Sequence, residues 1–216
     1  GALTAEQVAF WENLYTKGLG EFFYVNQIDF RNLVHITVDA AAPQHAVSST
    51  AGFGALVPFG GGKDSLVTGE VLKKQGKDFS WFELEPLAFG ESLRSVSGNT
   101  KLVKIGRNKE KNFAPVIELV KTGAPNGHVP ITAAYIFSAV LAALVFGFRD
   151  VIPSLERSAE FGNVEYLGEV INHQYSKSFE FEQAAASYVR TYISPTLRVF
   201  SLLRPLYEIQ IVEQFV

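Results

Sequence analysis

The sequence predicts an α/β fold, a parallel sheet with helices on both faces. Three observations point there. From Ala55 onward, short apolar runs alternate with helical stretches, the order that packs helices onto a parallel sheet. A glycine-rich turn, Gly60-Gly61-Gly62, joins the first of those runs to the helical stretch that follows. At 216 residues, 47% of them hydrophobic, the chain has the material for one substantial shared core.

Taken in order, apolar spacing predicts an opening helix around Thr4 to Tyr15, and Leu33-Val34-His35-Ile36-Thr37-Val38 reads as a strand-like run. Ala40 to Ser49, with Pro43, reads as a loop. Residues 1–50 are expected to be the end of a preceding domain, and residues 51–216 the α/β domain itself, cut short on its C-terminal side. Ala55-Leu56-Val57-Pro58-Phe59 is its first strand. A helix follows from about Asp64 to Gln75, with Lys73 and Lys74 at the negative end of its dipole and Gly76 as its C-cap. Phe79 to Leu84 is a second β-rich run and Lys101 to Ile105 a weaker third.

Val129 to Phe148 carries no charged residue and is long enough to reach across a bilayer. Pro130 at a first helical position, Gly147 at a C-cap, and interior Ala, Ser and Thr favour a buried helix instead of a membrane span. Val151-Ile152 is a further short strand. Beyond Glu156 loops predominate until a helix from near Ser178 to Ile193, stopped before Pro195. Pro205 then opens a last helix, Leu206 to Phe215.

Composition removes several function classes. A net charge of −3, from 19 basic and 22 acidic residues, gives no electrostatic reason to expect nucleic acid or an anionic membrane as partner. The absence of cysteine excludes disulfides, thiolate zinc sites and a cysteine nucleophile or base. The histidines, His35, His45, His128 and His173, lack the spacings of a zinc motif, so no structural metal is expected. Gly1 stands where an initiator methionine would, and a longer natural chain with flanking domains is expected. Ala2 to Asn26 mixes acids, bases and aromatics, unlike a signal peptide, so the expected location is cytoplasmic. The sequence carries no signal for an oligomeric state.

The turn Gly60-Gly61-Gly62-Lys63-Asp64-Ser65 is the main functional signal. Glycines between an apolar strand and a helix let main-chain N–H groups approach an anion, and the helix dipole favours negative charge there. By itself such a run is also an ordinary tight turn. It is not the GxxxxGK[ST] loop, because Val57 and Asp64 stand where a glycine and a hydroxyl are needed, and GxGxxG fails at Ser65. It does resemble the SGGxDS signature of the ATP pyrophosphatase (PP-loop) superfamily, agreeing at five of its six positions and departing at Gly60, where the family has serine. The resemblance implies an adenine nucleotide α-hydrolase-like fold and bound ATP. It places Gly60, Gly61 and Gly62 around the pyrophosphate and Lys63 as a cation beside it. Asp64 would help hold Mg2+, and Ser65 would cap the helix and bond phosphate.

Three later polar clusters lie at element ends: Asn126-Gly127-His128-Val129-Pro130, Glu156-Arg157-Ser158-Ala159, and Asn172 to Glu182. Each alone reads as a turn, a surface pair or helix capping. In this order behind the glycine turn, they resemble the UDP-N-acetylmuramoyl-L-alanyl-L-glutamate epimerase family of peptidoglycan precursor synthesis. The likeness includes Gly18-Leu19-Gly20-Glu21-Phe22-Phe23 and Phe200 to Leu206, stretches that look structural.

That resemblance implies a UDP-N-acetylmuramoyl dipeptide as substrate and adenylation of its terminal glutamate, with pyrophosphate leaving into the glycine loop. The α-hydrogen then becomes acidic enough for a side-chain base, and reprotonation on the other face followed by hydrolysis gives the D-glutamyl product and AMP. Lys63, Arg157 and Mg2+ near Asp64 suit charge neutralisation. His128, His173, Glu156 and Glu180 are candidate bases, and His173 with Glu180 or Lys177 is an attractive two-base pair. His35 and His45 are expected bystanders. Another PP-loop ligase or amidotransferase, or a nucleotide-binding module without turnover, remains open at this point.

Overall fold

The computed structural model describes residues 3–37, 52–85, 87–106, 109–162 and 164–215. In chain order its elements are α1 (Ala5–Gly18), α2 (Gly20–Val25), β1 (Phe53–Pro58), α3 (Lys63–Lys74), β2 (Phe79–Glu83), α4 (Gly90–Val96), β3 (Leu102–Lys104), α5 (Lys109–Lys121) and α6 (Ile131–Phe146). There follow β4 (Phe148–Val151), the hairpin β5 (Val164–Tyr166) and β6 (Glu169–Ile171), α7 (Phe179–Tyr188), β7 (Arg198–Val199) and α8 (Glu208–Phe215). Five strands form one sheet in the order β3-β2-β1-β4-β7, with every neighbouring pair parallel.

Both faces of the sheet are covered, as the strand–helix alternation predicts. Successive side chains of a strand point to opposite faces. Ala55 and Val57 of β1 therefore pack with Phe79 and Trp81 of β2 against Leu72 of α3, with Leu93 of α4 at the margin. Leu56, Phe82 and Val151 face the other way, toward Leu14 of α1, Ile136 of α6 and Phe181 of α7. Trp81, Leu56 and Phe82 are fully buried.

Helix α6 lays small residues, Ala133, Ala139 and Ala143, against the sheet, while Leu141 and Val145 on its outer side are exposed. It ends at Gly147 in the left-handed region (φ 76), as the C-cap reading predicts. Pro130 sits at the N-cap, one position before the first helical residue. Among the described residues no helix is long and apolar enough to cross a membrane.

Several expectations need correcting. Leu33 to Thr37 forms no strand: Leu33 lies in a turn and the main-chain N–H of Ile36 goes to Glu12 Oε1 at 2.9 Å, not to a neighbouring strand. Val38 and Ala40 to Ser49, with His45, lie outside the described residues. The opening helix begins where expected, with a reciprocal Thr4–Gln7 capping box, but runs on to Gly18. The strand expected at Val151-Ile152 starts earlier, at Phe148. The last helix starts at Glu208, two residues later than expected. Helices α2, α4 and α5, the β5–β6 hairpin and β7 have no counterpart in the sequence reading. Strand β7 is held by Arg198, whose Nε and Nη2 reach the buried Asp150 carboxylate of β4 at 2.6 and 2.8 Å.

Candidate functional site

Strands β1 and β4 are neighbours, yet the chain leaves them in opposite directions, from β1 toward β2 and from β4 toward β7. Such a divergence opens a crevice at the carboxyl ends of the two strands, where open α/β sheets bind ligands. The glycine turn follows β1 at this point, and Pro153 to Glu156 follow β4. Between them lies a cavity of about 290 Å³. Gly60, Gly62, Asp64 and Ser65 form one wall, Thr132 and Tyr135 of α6 a second, and Ser154, Glu156 and Lys177 the third.

The turn's geometry separates its three glycines. Gly61 has φ 77, the left-handed region that excludes most side chains, and a Cβ there would approach Leu87 and Leu93. A Cβ on Gly60 or Gly62 would meet nothing within 4 Å, so these two leave main chain open toward the cavity. Gly62 is the N-cap of α3 and no side chain among the described residues caps the helix, which keeps its positive N-terminal end available to an anion.

The helix starts at Lys63, one residue before the expected Asp64. The Ser65 hydroxyl does not cap the helix as expected. It donates instead to the Gly62 carbonyl at 2.8 Å, which fixes the loop's exit. Asp64 Oδ1 is buried and pairs with Lys63 Nζ at 3.1 Å; among the described residues nothing else bonds it. Lys63 Nζ also reaches Glu208 Oε1 of α8 at 3.0 Å. The Glu208 hydrogen bond is the main cause that raises the Lys63 amine above its ordinary value, with burial opposing and Asp64 adding to it.

On the third wall, Glu156 caps the short 3-10 turn Arg157–Glu160 by accepting the Ser158 N–H. Arg157 does not line the cavity, and its guanidinium lies 5.0 Å from the centre of the Tyr207 ring. Lys177 ends a second 3-10 turn, Tyr175–Lys177, immediately before the Ser178 N-cap of α7. As expected, Ser178 Oγ accepts the Phe181 N–H, at 3.1 Å.

The other sequence candidates lie elsewhere. His128 and His173 come together edge to face, with ring centres 6.3 Å apart, and His128 Nδ1 lies 4.0 Å from Glu21. Gln174 contacts His173 Nε2 at 3.1 Å, while His173 Nδ1 is buried with no hydrogen-bond partner among the described residues. Neither histidine lines the glycine-turn cavity. Glu180 borders a separate cavity of about 520 Å³ with Asn13, Lys17 and Tyr175. Its carboxylate accepts from Lys17 Nζ at 2.6 Å and from the Tyr175 hydroxyl at 3.3 Å. Burial first, and then the Glu180 charge, push the Tyr175 phenol well above its ordinary range. That cavity is the larger, but these polar groups already satisfy one another. His35 is exposed and lies outside any regular element. Thr132, Tyr135 and Ser154 line the site without having been singled out in the sequence. Ser154 Oγ pairs with Thr68 Oγ1 of α3 at 2.8 Å, a partner 86 positions away.

A parallel α/β sheet with an uncapped helix N-terminus and a glycine turn at its switch point defines an anion-receptive ligand site of the kind these folds carry. The MurL N-terminal domain family model matches residues 1–202, and the chain belongs to that family. A relative from Xanthomonas oryzae pv. oryzae, named UDP-N-acetyl-alpha-D-muramoyl-L-alanyl-L-glutamate epimerase, is 40% identical over 99% of this chain and 47% of its own length. Relatives of the same name from Salinispora tropica and a Micromonospora species are each 34% identical, over 96% and 94% of this chain and 45% and 44% of theirs. The chain therefore spans less than half the length of the relatives it matches. A solved structure from Methanocaldococcus jannaschii, described as a predicted subunit of tRNA methyltransferase, aligns with TM-score 0.46 and 15% identity over 76% of this chain and 74% of that one. A likeness of that size supports no inference.

Proposed function

We propose that this chain is the nucleotide-binding part of an ATP-dependent epimerase that inverts the terminal glutamate of a UDP-N-acetylmuramoyl-L-alanyl-L-glutamate in peptidoglycan precursor synthesis. The observation that carries the reading is the glycine turn opening with Asp64 onto a switch-point cavity shared with Glu156 and Lys177. The names of the relatives supply the substrate.

The main-chain N–H groups at Gly61 and Gly62, backed by the α3 dipole, receive the leaving pyrophosphate, and Lys63 exchanges Glu208 for phosphate oxygen. A buried carboxylate oxygen of Asp64, held by the Lys63 ammonium alone among the described residues, would be freed for a divalent cation such as Mg2+ when Lys63 turns to phosphate; Mg2+ takes few protein ligands when phosphate supplies the others. That cation would contribute charge neutralisation at the phosphates.

The substrate's α-carboxylate oxygen bonds to the α-phosphorus of ATP and the bond to pyrophosphate breaks. The anhydride no longer carries the carboxylate charge that opposes loss of the α-proton. One side chain then takes that proton and another returns one on the opposite face. Glu156 and Lys177 face the glycine-turn cavity, so the proposal gives them these steps. Glu180 is engaged by Lys17 and Tyr175, and the two histidines do not line the cavity, so they receive none. Water finally cleaves the anhydride and releases AMP.

The test is full-length protein incubated with substrate, ATP and Mg2+ in heavy water. One deuterium at the glutamyl α-carbon, together with AMP and pyrophosphate, is expected. AMP formed without label would point to a PP-loop ligase or amidotransferase, and neither AMP nor label to a module that binds nucleotide without turnover.

A further inference from the structure

We propose that Arg204 is a positioning residue for the cavity, fixing Glu156 and Lys177 relative to each other through their main-chain carbonyls. The inference rests on the reading above for the meaning of that cavity, but its geometry stands apart from it. An arginine offers five N–H donors in a rigid fork, and Arg204 uses them all. Nη1 donates to the Glu156 carbonyl at 3.0 Å and to Glu160 Oε1 at 2.8 Å. Nη2 donates to the Lys177 carbonyl at 3.1 Å and to Glu182 Oε2 at 2.6 Å. Nε completes the set on Glu182 Oε2 at 2.9 Å.

The side chain is 14% exposed and its guanidinium lies 5.7 Å from the centre of the Phe179 ring. Glu182 is buried, and its other oxygen takes the Ser201 N–H at 3.0 Å.

A plain staple would need only the Glu182 and Glu160 carboxylates. The two remaining bonds run to main-chain carbonyls of the two ionisable residues on the cavity's third wall, one following β4 and one preceding α7. They come from segments about twenty residues apart that a single planar group holds in register. Lysine keeps the charge, but its one compact ammonium cannot span both carbonyls and the carboxylates at once.

The experiment compares Arg204→Lys and Glu182→Gln with the unaltered 216-residue chain. It follows acetylation of individual lysines by acetic anhydride across pH, read by mass spectrometry, together with the melting temperature. Arg204→Lys is expected to displace the Lys177 rate–pH profile by about half a unit or more, leaving the Lys73 profile in place. Glu182→Gln is expected to lower the melting temperature while leaving the Lys177 profile where it was, because Arg204 still reaches both carbonyls. Superimposable Lys177 profiles in Arg204→Lys and the parent would overturn the proposal. So would displacement in both variants in proportion to lost stability. Should Arg204→Lys not fold, Arg204→Gln is read by the same two criteria. Protection of Lys63 by Mg2+ and ATP reports the nucleotide reading separately: its absence alongside a displaced Lys177 profile would sink that reading and keep the positioning role.

Discussion

Gly61 and Gly60 stand side by side in the glycine turn under opposite constraints. Gly61 has φ 77, in the left-handed region, whereas Gly60 faces open space and has no positive φ. Gly61→Ala should therefore cost about 1–2 kcal/mol in backbone strain, a fall of about 2–4 °C in melting temperature per kcal/mol for a chain of this size. Gly60→Ser should leave the melting temperature unchanged, since a side chain fits there. Thermal unfolding of the two variants checks both, and a large loss in Gly60→Ser would show that the turn needs glycine for a reason its sterics do not reveal. The departure of Gly60 from the PP-loop signature is thus a missing hydroxyl and not a change of backbone shape.

At this scale the sequence shows local features and hides distant ones. The order Gly60 to Ser65 marks an anion-receptive turn because each role depends on its neighbours. Arg204 sits in a stretch that looks structural, and Ser154 in no motif at all. Their significance depends on Glu156, Lys177 and Thr68, which only folding brings near.

Among the elements, α3 and β2 approach so closely that a helical glycine is required. A Cβ on Gly69 would stand 2.3 Å from Trp81 Cη2 and 2.8 Å from Cζ2. The indole is fully buried and its N–H donates to the Asn99 carbonyl at 2.8 Å, so the ring has little room to retreat. Helix propensity alone would make Gly69→Ala stabilising by about 1 kcal/mol. Overpacking of about 1–3 kcal/mol should win, and calorimetry should record a lower melting temperature. A higher one would mean that α3 can lift off the sheet.

The elements that the sequence reveals are those with clear punctuation: α3 before Gly76, α6 before Gly147, α7 between Ser178 and Pro195. Helix α4 has only seven residues and α5 carries Pro115 within it, which reads as a break. The β5–β6 hairpin turns at Leu167 and Gly168, with φ 53 and 87. Leucine at the first of those positions lacks the Asn-Gly or Asp-Gly signal such turns usually give. Two-residue β7 owes its place to the Asp150–Arg198 pair, a contact across 48 positions. Leu33 to Thr37 shows the converse, a strand-like composition without a strand beside it among the described residues.

For the molecule as a whole, the alternation of strands and helices is enough to predict a parallel sheet with two covered faces, but not the order of its strands. That order, β3-β2-β1-β4-β7, sets the glycine turn opposite the segment after β4 and so creates the crevice. The proposed function requires this crevice to hold ATP by its phosphates. The most direct measurement is a crystal structure of the chain with Mg2+ and a non-hydrolysable ATP analogue. Phosphate oxygens are expected on the Gly61 and Gly62 N–H groups, Mg2+ on Asp64, and Lys63 turned from Glu208 to phosphate. Phosphates bound away from the glycine turn, with Lys63 still on Glu208, would contradict it.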